Sequence, residues 1–128
     1  MADTPPTDPD ALVRAMCAAW SRLDAEEIAS YFTEDAVYHN IPMDPVIGRA
    51  AIRDFITGFA AALDGIDFDI HRQTVSGDLV MNERTDTLRG NGRDTELPVM
   101  GVFEIADGKI KAWRDYFDMA PIAQAFGG

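Results

Sequence analysis

From Ile66 onward the chain alternates. Ile66, Phe68 and Ile70 are separated by Asp67, Asp69 and His71, and three further stretches follow: LVMNERTDTLR, ELPVMGVFEI and KIKAWRDYFDM. A period of two marks a strand with one face in a core and the other in water. The links between the stretches are short. Ser76-Gly77-Asp78 turns the chain into the second and the polar loop GNGRD leads into the third, while Asp107-Gly108, the strongest local hairpin signal, precedes the fourth. Strands joined so tightly run antiparallel, so the second half of the chain is a meander that needs something to cover its apolar face.

The first half supplies the cover. Ala11, Leu12, Ala15, Met16, Ala19, Trp20 and Leu23 recur at three- and four-residue spacing, which predicts a helix from about Asp8, with Asp8 or Asp10 as its cap. DAEEIASYF predicts a second, short helix after a break at Asp24. DAVYHNIP is a short strand closed by Pro42, and Pro45 continues the loop. GRAAIRDFITGFAAAL resumes the helical period through Ile52, Phe55, Ile56, Phe59 and Leu63, with Gly48 just before it, and APIAQAF is a short C-terminal helix or tail. Residues 1–8, rich in Pro and Asp, form a flexible lead-in, and residues 9–128 form one domain. The expected class is α+β: N-terminal helices packed against a strongly curved, mainly antiparallel sheet. Such a sheet wraps into a cone whose open end is an apolar pocket.

Composition narrows the partners. The chain has 128 residues, 47% of them hydrophobic, which suits a folded domain with one core. Its formal charge is −11, and the 11 Lys and Arg never cluster, so phosphate backbones and anionic membrane surfaces are repelled. No apolar run approaches the ~18 residues that span a bilayer. The opening MADTPPTDPD lacks the positive charge of a targeting signal, and the lone Cys17 sits beside a helical stripe as inert core, so the cytoplasm is the expected compartment. The expected partners are a small neutral or apolar molecule and a second copy of the chain. Neither a nucleic acid nor a membrane fits.

Where the charges fall within the strands is more telling. Alternation puts Val80, Asn82, Arg84, Asp86 and Leu88 on one face and Met81, Glu83, Thr85 and Thr87 on the other. The second set is a solvated sheet surface, so Arg84 and Asp86 are assigned to the interior. In WRDYFDM, Asp115 shares a face with Trp113, Phe117 and Met119, a poor place for a carboxylate without a partner. Tyr38 and Asn40 share a face of the YHN stretch, with His39 turned away. One arginine, two carboxylates, a phenol and a carboxamide are thereby aimed at one pocket.

YHN, ERTDTLR and WRDYFD, in this order and spacing, resemble the limonene-1,2-epoxide hydrolase family, whose cone-shaped fold is shared with nuclear transport factor 2, ketosteroid isomerase and polyketide cyclases. The resemblance runs from about Phe32 to Met119. It implies a cofactor-independent, metal-free epoxide hydrolase that adds water directly to a small apolar, cyclic epoxide and gives a vicinal diol. It implies an Asp–Arg–Asp triad on Asp86, Arg84 and Asp115, with Tyr38 and Asn40 holding the attacking water. It also implies Asp115 as general base and Asp86 as general acid; pattern alone permits the reverse. His39 carries no assigned role. Met43, Leu88, Pro98, Met100, Val102, Trp113 and Phe117 are the candidate substrate-contacting wall, and a homodimer is expected by fold analogy.

Two other functions are open to such a sequence. An isomerase or polyketide-cyclase-like enzyme on the same fold would use one aspartate as a base on a carbon acid and would not need a second carboxylate bridged by arginine. A non-catalytic ligand-binding or dimerisation domain would hold the same polar residues as a buried structural network.

Overall fold

The computed structural model describes residues 6–126. The first five residues of the expected lead-in therefore lie outside the described residues. Helix α1, Pro9–Ala19, starts where Asp8 accepts a hydrogen bond from the Ala11 amide at 3.0 Å, with Pro9 in the first turn where a missing N–H costs nothing. Asp8 is thus the cap and leaves Asp10 free for another partner. The helix buries Leu12, Val13, Met16, Cys17 and Ala19, then tightens into a 3₁₀ turn, Trp20–Arg22, that ends at Leu23 in the left-handed region. Helix α2, Ala25–Ala29, is capped by Asp24 and is shorter than its sequence suggests, because Phe32 already opens strand β1.

Among the described residues six strands form one mixed sheet in the order β2-β1-β6-β5-β4-β3. They are β1 Phe32–Asn40, β2 Val46–Ile47, β3 Gly65–Ser76, β4 Leu79–Gly90, β5 Arg93–Ala106 and β6 Lys109–Tyr116. The last four are the antiparallel meander. Strand β1 runs parallel to β6, a pairing that nothing local in the sequence announces, and the two-residue β2 lies in what reads as loop. The sheet curls around α1, α3 (Arg49–Ala61) and the 3₁₀ turn, and α4 (Ala120–Phe126) packs against β5. Among the described residues no helix is long and apolar enough to cross a membrane.

Two tight turns set the register of the meander. Asp107 and Gly108 take φ of 51° and 72°, and Asn91 and Gly92 take 54° and 76°, the paired positive values of a two-residue hairpin turn. The expected loop GNGRD is therefore a turn of only two residues, with Gly90 already paired to Arg93. This register puts Leu97, Val99, Gly101, Phe103 and Ile105 on the inner face, and Pro98, Met100 and Val102 on the outer one. The expectation that these three line the pocket is corrected accordingly. Pro98 is tolerated because the ladder between β5 and β6 runs only from Met100 to Ala106, so its missing N–H breaks no bond on that side.

Aromatic rings fill the cone beneath the site. Trp113 is fully buried and stacks on Tyr38 at 4.3 Å and on Phe103 at 5.3 Å, while Trp20 meets it edge-on at 6.0 Å. Removing the Trp113 side chain would cost about 3–5 kcal/mol, the range for an aromatic truncated in a packed core.

Candidate active site

Strand β4 alternates as its sequence requires. Val80, Asn82, Arg84, Asp86 and Leu88 are buried, and the residues between them are exposed or half-exposed. Arg84 retains 1% of its surface, Asp86 4% and Asp115 3%. An unpaired ion at such depth is too costly to persist, so the guanidinium must be matched. It is matched twice. Nε and Nη2 donate to Asp86 Oδ1 and Oδ2, each at 2.9 Å, and Nη1 and Nη2 donate to Asp115 Oδ1 and Oδ2 at 3.2 and 2.8 Å. These are two forked bridges on two edges of one planar cation, a geometry that lysine cannot make. The Phe68 ring lies under the guanidinium carbon, 4.6 Å from it.

The parallel pairing of β1 with β6 brings in the remaining groups. Asn40 is the register partner of Asp115, and Tyr38 that of Trp113. Tyr38, Asn40, Asp86 and Asp115 all open onto one cavity of about 240 Å³. The rest of its wall is apolar. Trp20, Ile66 and Phe68 line it; Phe55 and Phe59 come from α3; Leu88, Leu97 and Val99 come from the sheet. Met43, Phe117 and Met119, with Ile122 and Phe126 of α4, complete the lining. Carboxylates in an apolar, largely pre-formed cleft are the usual setting for acid–base chemistry.

Burial raises the Asp86 carboxyl to about 6, with the Asp115 charge acting in the same direction and Arg84 opposing both. Burial also works against the charge of Arg84, but the two carboxylates outweigh it and hold its pKa well above the usual value. The Tyr38 phenol is kept protonated, first by burial and then by the nearby Asp115 charge. Cys17 lies deep in α1 with its thiol pushed up to about 12 by burial, in keeping with an inert core role.

Of the expected wall residues, Met43, Leu88 and Phe117 line the cavity, while Pro98, Met100 and Val102 are on the outer face. Trp113 stands behind the wall, under Tyr38, where its indole Nε1 donates to Asp115 Oδ1 at 2.6 Å. His39 points to the other side of β1 and meets the Met43 carbonyl at 2.9 Å. Phe55, Phe59, Leu97, Val99, Ile122 and Phe126 were not anticipated as wall residues. The signal for Leu97 and Val99 was the Asn91-Gly92 pair, since a two-residue turn there fixes which residues of β5 face inward. Among the described residues, no group of three or more His, Cys, Asp or Glu side chains is arranged to hold a metal ion.

Residues 13–113 match the SnoaL-like domain family. Epoxide hydrolase EphG of Mycobacterium tuberculosis is 32% identical over 107 residues, which cover 84% of this chain and 71% of that protein. A solved M. tuberculosis epoxide hydrolase of the limonene-1,2-epoxide hydrolase-like type superposes with a TM-score of 0.81 at 29% identity, covering 95% of this chain and 91% of the other. A protein of ketosteroid isomerase-like fold from Catenulispora acidiphila gives the same TM-score at 19% identity over 91% of this chain and 92% of its own, a likeness of fold alone. The chain belongs to the SnoaL-like domain family, among its limonene-1,2-epoxide hydrolase-like members.

Proposed function

We propose that this protein is an epoxide hydrolase that adds water directly to a small apolar epoxide through Asp86, Arg84 and Asp115. The observation that carries this reading is the double fork. Arg84 bridges two buried carboxylates at the wall of an apolar cavity. An isomerase or cyclase needs one base and a donor to an enolate, and it does not need an arginine that bridges that base to a second carboxylate. The relationship to EphG and to the limonene-1,2-epoxide hydrolase-like structure supports the same reading.

In the proposed mechanism a water bound by the Tyr38 hydroxyl and the Asn40 amide loses a proton to Asp115 as its oxygen attacks an epoxide carbon. The strained C–O bond breaks, and the departing oxygen takes the proton of Asp86. Asp86 therefore begins protonated and ends ionised, and Asp115 does the reverse. The trio holds one proton and no net charge throughout, the cheaper state beside apolar walls. Arg84 keeps both carboxyls in place and stabilises whichever is ionised. Return of the proton from Asp115 to Asp86 resets the site. A cytoplasmic homodimer completes the proposal.

Incubation with a panel of cyclic epoxides in heavy-oxygen water tests it. Diol should form, and in a single turnover the label should enter the diol directly. Label found first in an enzyme carboxyl would sink direct attack by water. Ligand binding without any diol would favour a binding module.

A further inference from the structure

An arginine carries five N–H donors in a fixed plane. The two carboxylates take four of them: Nε, one Nη1 and both Nη2 protons of Arg84. The fifth, on Nη1, points to Asn82, whose Oδ1 accepts it at 3.1 Å. Asn82 is 1% exposed and does not line the cavity. Its acceptor is neutral, so it satisfies the last donor without the extra buried negative charge that a third carboxylate would bring.

The Asn82 amide has only one useful orientation. Its Nδ2 donates to Gln73 Oε1 at 3.0 Å, and Gln73 Nε2 donates in turn to Asp10 Oδ1 at 2.8 Å and the Asp10 carbonyl at 3.2 Å, in the first turn of α1. Turning the Asn82 amide over would set donor against Arg84 donor at one end and acceptor against acceptor at the other. Gln73 reaches this place through a bulge in β3. Ile70 pairs with Arg84 and Arg72 with Glu83, so His71 is the extra residue and Gln73, opposite Asn82, faces inward.

Gly101 supplies the space. Gln73, Asn82, Gly101, Asp115 and Asn40 are successive register partners in one row across β3, β4, β5, β6 and β1. A Cβ on Gly101 would lie 2.6 Å from Arg84 Nη1, 2.8 Å from Asn82 Oδ1 and 3.0 Å from Asp115 Oδ1. The guanidinium edge occupies the place of the missing side chain.

We infer that Asn82, oriented by Gln73 and Asp10, is a positioning residue that locks the Arg84 guanidinium over Gly101 in the rotation that serves both carboxylates. As a statement about turnover it rests on the proposed epoxide hydrolysis; as a statement about Arg84 it stands alone. The test therefore has two readouts.

The first is NMR of the Arg84 guanidinium in nitrogen-15-labelled protein. Its Nη1 protons should exchange slowly with solvent in the wild type and at least tenfold faster in Asn82→Leu. The second is kinetics on a cyclic epoxide. Asn82→Leu should lower kcat by about 10- to 100-fold, the range for an unpaired donor on a charged group, with KM within threefold of wild type. Gln73→Leu should lower kcat by about 3- to 10-fold, and adding it to Asn82→Leu should lower kcat no further, because Gln73 acts through Asn82.

Unchanged Arg84 exchange in Asn82→Leu overturns the inference, as does a kcat within threefold of wild type. Fully additive losses in the double variant overturn the relay from Gln73. Should Asn82→Leu fail to fold, Gln73→Leu carries both readouts under the same criteria. A wild-type protein that opens no epoxide defeats the functional proposal, and the exchange rates then decide the inference by themselves.

Discussion

In the proposed mechanism Asp86 links activity to stability through one proton, and Asp86→Asn separates the two effects. In the folded protein burial holds this carboxyl at about 6, against an ordinary value of 3.8. Each pH unit between these values is worth about 1.36 kcal/mol, so the linkage amounts to about 3 kcal/mol. The sign follows from which state holds the proton. Between the two values the folded protein binds it and the unfolded chain does not. The contribution is thus complete below about pH 4 and is lost as pH rises toward 6. Asp86→Asn cannot titrate, and its amide facing the Arg84 donors adds a cost that does not vary with pH. The stability of wild type minus variant should therefore fall by about 2 kcal/mol from pH 4 to pH 7, while the titration of the other groups cancels to first order. Urea unfolding followed by the fluorescence of Trp20 and Trp113, both buried, measures it. A difference that stays flat within about 0.5 kcal/mol, or that rises with pH, would refute a buried proton on Asp86. In the proposed mechanism the same proton governs rate. In the wild type kcat/KM should fall about tenfold per pH unit above about 6, as the acid form of Asp86 is depleted.

Other substitutions divide the site by role. Arg84→Gln leaves two buried carboxylates without their cation, so turnover should vanish and stability at pH 7 should fall by about 3–5 kcal/mol, with partial recovery at pH 4 as Asp86 protonates; denaturation at both pH values checks it. Tyr38→Phe keeps the ring that stacks on Trp113 but removes a ligand of the proposed water, so kcat should fall by about 10- to 100-fold with little loss of stability. Phe126→Ala enlarges the cavity that Phe126 lines, and the ratio of kcat/KM for bulky over small cyclic epoxides should rise by about 10-fold.

How much of this was legible in the chain differs from strand to strand. In β4 and β6 the charges declared themselves, because a polar group among apolar neighbours of the same parity has to be satisfied indoors. Arg84, Asp86 and Asp115 were found that way, and the structure sets all three within hydrogen-bond reach. In β5 both parities are apolar around Val99 and Met100, so side-chain chemistry could not choose a face, and Pro98, Met100 and Val102 were assigned to the wrong one. The Asn91-Gly92 turn held the answer, since a two-residue turn pairs Asp86 with Leu97 and Arg84 with Val99.

By itself the sequence determined what short-range sterics and solvation determine: most of the helical and extended segments, a first helix capped at Asp8 or Asp10, the Asp107-Gly108 hairpin, and the residues that face alike within a strand. Tertiary structure alone decided the parallel docking of β1 on β6 that sets Asn40 beside Asp115, the bulge that turns Gln73 inward, and the empty place at Gly101 that the guanidinium fills. These depend on register between segments distant along the chain. Register is chosen by the packing of the whole core, a sum over many weak contacts that no single stretch of sequence contains.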